Sequence, residues 1–170
     1  MSYRNKTYVA FASEDIHLYR LMQAWHKNEG IDFDFFDAHD LNTARDTSTD
    51  ETIRRRLRER LMNTKQVVLL GSPAAKKKGG DVTSFLGYEV KKIIELGVPV
   101  VVANIDGSRT VNHSNYPAPL TDADTYTMSV SFQPTIIAHA LDKYVPLFQS
   151  NTDKTGPYYY KASVYEQLGL

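Results

Sequence analysis

Two stretches, Gln66-Val67-Val68-Leu69-Leu70-Gly71 and Val98-Pro99-Val100-Val101-Val102-Ala103-Asn104-Ile105, are almost unbroken in apolar residues. A strand with one wet face alternates apolar and polar side chains. A run without alternation belongs to a strand covered on both faces, as at the centre of a parallel sheet. Between the two runs lies an amphipathic segment that starts at Phe85 and stops at Gly97. Strand, helix, strand in that order is the unit of a three-layer α/β sandwich.

The rest of the chain repeats the alternation. Tyr8 to Phe11 is a short apolar strand, and Ser13 is placed to cap a helix whose positive end suits Glu14 and Asp15. Leu18, Leu21, Met22 and Trp25 share one face of that helix, and Gly30 is placed to stop it. Ile31 to Phe36 reads as a second strand ending at Asp37, followed by a polar, unpatterned loop to Asp46. Ser48-Thr49-Asp50-Glu51 has the form of a capping box, with Ile53, Leu57 and Leu61 as a narrow buried stripe behind it. The arginines at 54, 55, 56, 58 and 60 read as solvated surface, since Glu51 and Glu59 are interleaved with them. Ser72 to Val82 reads as a loop, as do residues 106–124. Thr125 to Val130 is a fifth strand, and Pro134 to Phe148 a fifth helix in which Pro146 marks a kink or an end. The tail with Gly156-Pro157-Tyr158-Tyr159-Tyr160 takes no assignment. The expected organisation is one domain over 1–150 with a C-terminal extension, 151–170, packed on it.

Composition narrows the function. Twenty basic side chains against twenty acidic ones leave no global field for phosphate backbones or anionic lipid, so neither nucleic acid nor membrane is an expected partner. The absence of cysteine excludes disulfides, thiolate nucleophiles and Cys-type zinc sites, and it fits the cytoplasm. No apolar span reaches membrane length, and the N-terminus lacks the apolar core of a signal peptide. Gly71-Ser72-Pro73-Ala74-Ala75-Lys76 lacks the second glycine of a Walker loop, and the five histidines show no ligand spacing. Asp37, His39 and Asp40 have metal-ligand chemistry without a recognisable pattern, and no metal is expected.

The chemically distinctive position is Glu89. Projected at about 100° per residue, Leu86, Val90, Ile93, Ile94 and Gly97 fall in one arc facing the sheet, and Glu89 lies roughly 80° from its centre. Phe85 stands one turn earlier on the same side. A carboxyl group at the edge of a core, beside a ring, tends to a raised pKa and interacts strongly with a developing cation. Cleavage of a glycosidic bond through an oxocarbenium-like state requires that property. The plainer alternative is a boundary glutamate paired with Lys92 or a loop arginine.

The strand Tyr8 to Phe11 followed by Ser-Glu-Asp, the strand ending Phe36-Asp37-Ala38 with its long polar loop, and the aromatic-x-x-x-Glu of Phe85 to Glu89 together resemble a TIR domain. More closely they resemble the bacterial TIR-like family of the Thoeris anti-phage defence system, over residues 6–148 in order of elements. The resemblance implies a flavodoxin-like fold with a five-stranded, mostly parallel sheet. It also implies an NAD-consuming activity in which the helix glutamate meets the nicotinamide-side ribose as nicotinamide leaves. Carried over by position, Glu89 is the catalytic acid, and Phe11, Ala12, Ser13, Asp37, Asp40 and Phe85 are substrate-binding. Phe85 stands where tryptophan is usual, so it can stack on a ring but has no indole N–H. Phe11 also reads as core, and Asp37 as a strand-end turn acid.

The same resemblance implies a cyclic ADP-ribose product acting on a separate effector, NAD as substrate with no bound cofactor, and self-association. Cyclisation needs a pocket that excludes water, and Tyr116, His113 and Asn115 are candidates for its wall, with an ordinary surface loop as the alternative. A receiver domain shares the alternation but needs an aspartate closing the third strand, where Gly71-Ser72 stands. A TIR domain acting only as an assembly or adaptor module remains the rival, because fold does not dictate function.

Overall fold

The computed structural model describes residues 5–28, 36–37 and 49–170, the pair at 36–37 through its backbone. In chain order the elements are β1 (Lys6–Ala10), a 3-10 turn (Ser13–Asp15), α1 (Ile16–Lys27), β2 (Phe36–Asp37), α2 (Asp50–Met62), β3 (Gln66–Gly71), α3 (Pro73–Gly79) and α4 (Phe85–Leu96). They continue with β4 (Val100–Asn104), α5 (Ala118–Asp122), β5 (Thr127–Ser131), α6 (Pro134–Ser150), β6 (Pro157–Tyr159) and α7 (Ala162–Gln167).

The strands form one sheet in the order β2-β1-β3-β4-β5-β6, with every ladder parallel. Tyr8 lies opposite Val67, Val67 opposite Val100, and Val100 opposite Thr127. Because strand side chains alternate, this register sorts the apolar runs into two cores. Val9, Val68, Leu70, Val101 and Ala103 face α1, α6 and α7. Tyr8, Ala10, Val67, Leu69, Val100 and Val102 face α2, α3, α4 and α5. This is the flavodoxin-like three-layer architecture, and the unalternating strands are the ones covered on both sides.

Local chemistry accounts for most element boundaries. Thr49 caps α2 by accepting from the Thr52 amide, one residue later than the Ser48 of the expected box, and Leu57 and Leu61 form the buried stripe. Ser84 caps α4 by accepting from the Gly87 amide, and Gly97, in the left-handed region at φ 63°, ends it.

Four expectations change. Residues 73–79 are helical rather than loop, because Ser72 supplies an N-cap and Pro73 occupies the first helical position, where its missing N–H costs nothing. Ser13 does not cap α1; it opens the 3-10 turn, and α1 follows from Ile16. Within the 106–124 stretch a short helix, α5, forms at 118–122. The helix of Pro134 runs through Pro146 to Ser150.

The tail adds to the five expected strands. Its β6 extends the sheet in parallel beside β5. Tyr165 of α7 is fully buried against the α1 and α6 face, its hydroxyl accepting from the Ser131 amide at 3.1 Å. Among the described residues no helix is long and apolar enough to cross a membrane.

Candidate functional site

In an open α/β sheet ligands bind where neighbouring strands send their helices to opposite faces, outside the carboxyl ends of those strands. Here that place lies between β1 and β3. The chain leaves β1 toward α1 on one face and leaves β3 toward α3 and α4 on the other.

Several side chains join the segments after these two strands. The hydroxyl of Ser72, directly after β3, donates to Asp15 Oδ2 at 2.5 Å while accepting from the Ala75 amide at 2.9 Å. Ser72 and Asp15 are both buried, so the bond pins the turn after β1 to the start of α3. Lys78, in the last turn of α3, reaches back to the same turn, with Nζ 2.9 Å from Glu14 Oε1 and donating to Ser13 Oγ at 2.8 Å. That lysine holds the Glu14 carboxyl below its ordinary value.

The backbone of Lys78 also braces α4. Ser84 Oγ donates to the Lys78 carbonyl at 2.6 Å. Gly87 lies so close to residue 81 that a Cβ there would sit 1.9 Å from the Asp81 carbonyl oxygen. Glycine inside a helix is ordinarily a weakness. Here it lets the first turn of α4 press against the preceding connection, which fixes the position of Glu89 half a turn further on.

Glu89 is 4% exposed, deeper than the border position expected from its helical projection. Its Oε1 accepts from the Tyr8 hydroxyl at 2.9 Å across the interface between α4 and β1. Neither alternative cation holds it: Lys92 pairs with Glu95, Nζ to Oε2 2.6 Å, and the described residues supply no ion pair to Glu89. Burial pushes the Glu89 carboxyl up to about 8, against the opposing pull of the Tyr8 hydrogen bond. A carboxyl group so placed is mostly protonated at neutral pH, and a cation brought beside it would draw off the proton.

The other expected site residues are distributed unevenly. Phe85, at the first position of α4, is 37% exposed one turn before Glu89. Ala12 is buried with the Glu89 face of the sheet, and Ser13 is exposed. Phe11 turns to the other face, stacked on Tyr19 with ring centroids 4.7 Å apart. Asp37 closes β2 opposite Thr7, described by its backbone alone. Asp40 and His39, with the loop to Asp46, lie outside the described residues.

Tyr116 and Asn115 are buried and bonded inward, Tyr116 to Thr127 at 3.3 Å and Asn115 to Asn104 at 3.0 Å, so they anchor the 106–117 segment to the sheet. The His113 ring centroid lies 6.5 Å from that of Tyr116.

Sequence reasoning passed over Tyr8, Asp15, Ser72 and Lys78. Tyr8 carried a readable signal, since a buried tyrosine must place its hydroxyl on a partner. The Asp15 and Ser72 pair carried none, because 57 residues separate them in the chain.

No curated protein matches the chain. The family model described as Thoeris protein ThsB, TIR-like domain, matches residues 8–110, from Tyr8 in β1 past the end of β4, and so includes Glu89. That match spans more than half of the 170 residues and supports an anti-phage role; the chain belongs to the TIR-like domain family of the Thoeris protein ThsB.

Proposed function

We propose that the chain is a TIR-domain enzyme that consumes NAD, releases nicotinamide and makes a cyclic ADP-ribose signal in anti-phage defence. The diffusible nucleotide then activates a separate effector. The observation that carries this reading is Glu89: a carboxyl group buried between α4 and β1, bonded to the Tyr8 hydroxyl and free of any ion pair among the described residues.

In this reading the cationic nicotinamide ribose enters beside Glu89, and its charge lowers the pKa of the carboxyl so that the group ionises. The bond between the ribose C1′ and the nicotinamide nitrogen breaks, its electron pair leaves with nicotinamide, and the carboxylate stabilises the oxocarbenium-like sugar. A hydroxyl elsewhere in the same ADP-ribose then forms the new bond to C1′ and gives up its proton to the Glu89 carboxylate. Cyclisation competes with hydrolysis only where water is kept out and the substrate is folded back on itself.

Ala12, Ser13, Asp37, Asp40 and Phe85 bind the substrate, with Phe85 stacking in place of the usual tryptophan, while Phe11 supports the turn from the other face through its stack on Tyr19. The site is completed by self-association in the cytoplasm, with NAD as substrate and no resident cofactor.

The test incubates the pure chain with NAD, with and without extract of phage-infected cells, and follows nicotinamide by chromatography. Wild type releases nicotinamide in at least one condition, and folded Glu89→Ala releases none. Release by Glu89→Ala at the wild-type rate, or silence of wild type in both conditions while it still assembles, would favour the adaptor reading.

A further inference from the structure

A second feature of α4 faces away from Glu89. Tyr88 borders a cavity of about 830 Å³ between α2 and α4, lined also by Arg54, Arg55 and Arg58 and by the acids Asp50 and Glu51. Such a volume is that of an ordinary small-molecule site. The arginine run was expected to be solvated surface, and Arg55 and Arg58 are exposed; among the described residues no carboxylate forms an ion pair with Arg54, Arg55 or Arg58. Glu95 feels the charge of Arg58, but its carboxylate is taken by Lys92. Three guanidinium groups outnumber the two carboxylates in this concavity and, among the described residues, none is held in an ion pair, so the groove keeps a net positive charge that favours an anion.

Arg54 is held in place before any ligand arrives. Its Nη2 donates to the Thr83 carbonyl at 3.2 Å, and its guanidinium carbon lies 5.6 Å from the Tyr88 ring centroid. Its Nε–H is buried without a hydrogen-bond partner, so the fork retains an unused donor. Lys92 Nζ lies 5.8 Å from the same ring, its charge paired with Glu95. Guanidinium forks match pairs of phosphoryl oxygens, and the carboxylates of Asp50 and Glu51, one turn earlier on the same helix, suit sugar hydroxyls.

We propose that this groove is a binding site for a diphosphate ester, with Arg54, Arg55 and Arg58 taking the phosphoryl oxygens and Asp50 and Glu51 the hydroxyls of an attached ribose. Glu89 is not among the residues lining the groove, and binding there does not depend on the chain turning over NAD.

The test uses the full chain at low ionic strength with two probes, adenosine 5′-diphosphate and inorganic pyrophosphate. Binding is followed by calorimetry and by the side-chain Nε–H resonances of the arginines. Both probes give saturable binding that shifts the Arg54 Nε–H signal, and the R55Q/R58Q double variant, changed at two exposed positions, binds at least about tenfold more weakly. The Glu89→Gln variant still shows the Arg54 shift. Tighter binding of the nucleotide supports the ribose contacts of Asp50 and Glu51, and equal or weaker binding than pyrophosphate overturns them. No saturable shift of the Arg54 signal in wild type, or a shift of unchanged affinity in the double variant, overturns the proposal. The wild-type resonance decides the matter even if the variant does not fold.

Discussion

Glu89 and Glu95 sit on the same helix, six positions apart, and their carboxyl groups are pushed in opposite directions. Glu95 is in the last turn, exposed, and held below its ordinary value chiefly by its hydrogen bond to Lys92. Glu89 is in the first half, buried against β1, and pushed up to about 8 by desolvation. The residue type is the same, so the difference comes from placement. One end of α4 is fitted against the preceding connection through Gly87 and Ser84, and the other is left in water with a lysine one turn away. A carboxyl group without a cation in an apolar wall is costly to keep, which marks it as a functional candidate where Glu95 is an ordinary surface acid.

The sharpest way to break the contrast is to neutralise each acid. Glu89→Gln keeps the shape and the Tyr8 hydrogen bond but cannot ionise, and nicotinamide release in the assay above should fall by about a thousandfold or more. Glu95→Gln should leave the rate within about twofold, since it changes only an exposed pair. Comparable losses from the two substitutions would show that α4 tolerates no change of charge, and the special status of Glu89 would go.

Stability should separate the two acids with the same substitutions and a different sign. The native Glu89 carboxyl titrates near 8 and the unfolded one near 4.5, so between those values the folded chain holds a proton that the unfolded chain has released. Stability from this group is therefore fully present below about pH 4.5 and is lost as pH rises toward 8. Glu89→Gln escapes that loss. Denaturant unfolding should find it more stable than wild type by on the order of 4 kcal/mol near pH 8, the gap closing as pH falls to 4.5. Glu95→Gln should show no such pH-dependent gain. A Glu89→Gln protein no more stable than wild type at pH 8 would mean that the carboxyl ionises freely in the fold.

A third substitution tests what holds the two ends apart. Gly87→Ala drives a methyl group into the Asp81 carbonyl, so the first turn of α4 must move away. Loss of about 1–3 kcal/mol is expected from overpacking, with activity falling further than stability because Glu89 moves with the turn. Full activity in a destabilised Gly87→Ala protein would show that Glu89 needs no such fit.

The sequence reached the architecture further than it reached this contrast. Unalternating runs at 66–71 and 98–105 announced buried parallel strands because alternation is a local property of the chain; the first formed over its full length and the second over Val100–Asn104. The helical projection also put Glu89 at the edge of the core. It could not show that Glu89 is fully enclosed, because enclosure depends on Tyr8, 81 residues away. The α3 helix was missed for a smaller reason: three lysines and a Gly-Gly pair hid the Ser72-Pro73 start signal. The tail went unassigned because a three-residue strand such as β6 has too few positions to show a period, and sheet pairing decides its conformation. Asp40 lies outside the described residues, and its place in the site rests on resemblance.

The mildest change is Tyr8→Phe, which sharpens the comparison by removing one hydroxyl from the Glu89 side. The Tyr8 bond opposes desolvation and is the lesser of the two effects. Without it the carboxyl should titrate higher, by about one pH unit if a hydrogen bond to a charged acceptor is worth its usual 1.5–3 kcal/mol and a water replaces part of it. Because the carboxylate is the working form, kcat/KM for nicotinamide release should rise with pH through the free-enzyme value near 8 in wild type. The limb should lie about one unit higher in Tyr8→Phe, with the plateau rate changed much less. In kcat the limb should fall at lower pH for both proteins, because the bound cationic substrate favours the carboxylate. If Tyr8→Phe lowers the plateau and leaves the limb in place, the tyrosine braces the interface between α4 and β1 without setting the proton affinity of Glu89.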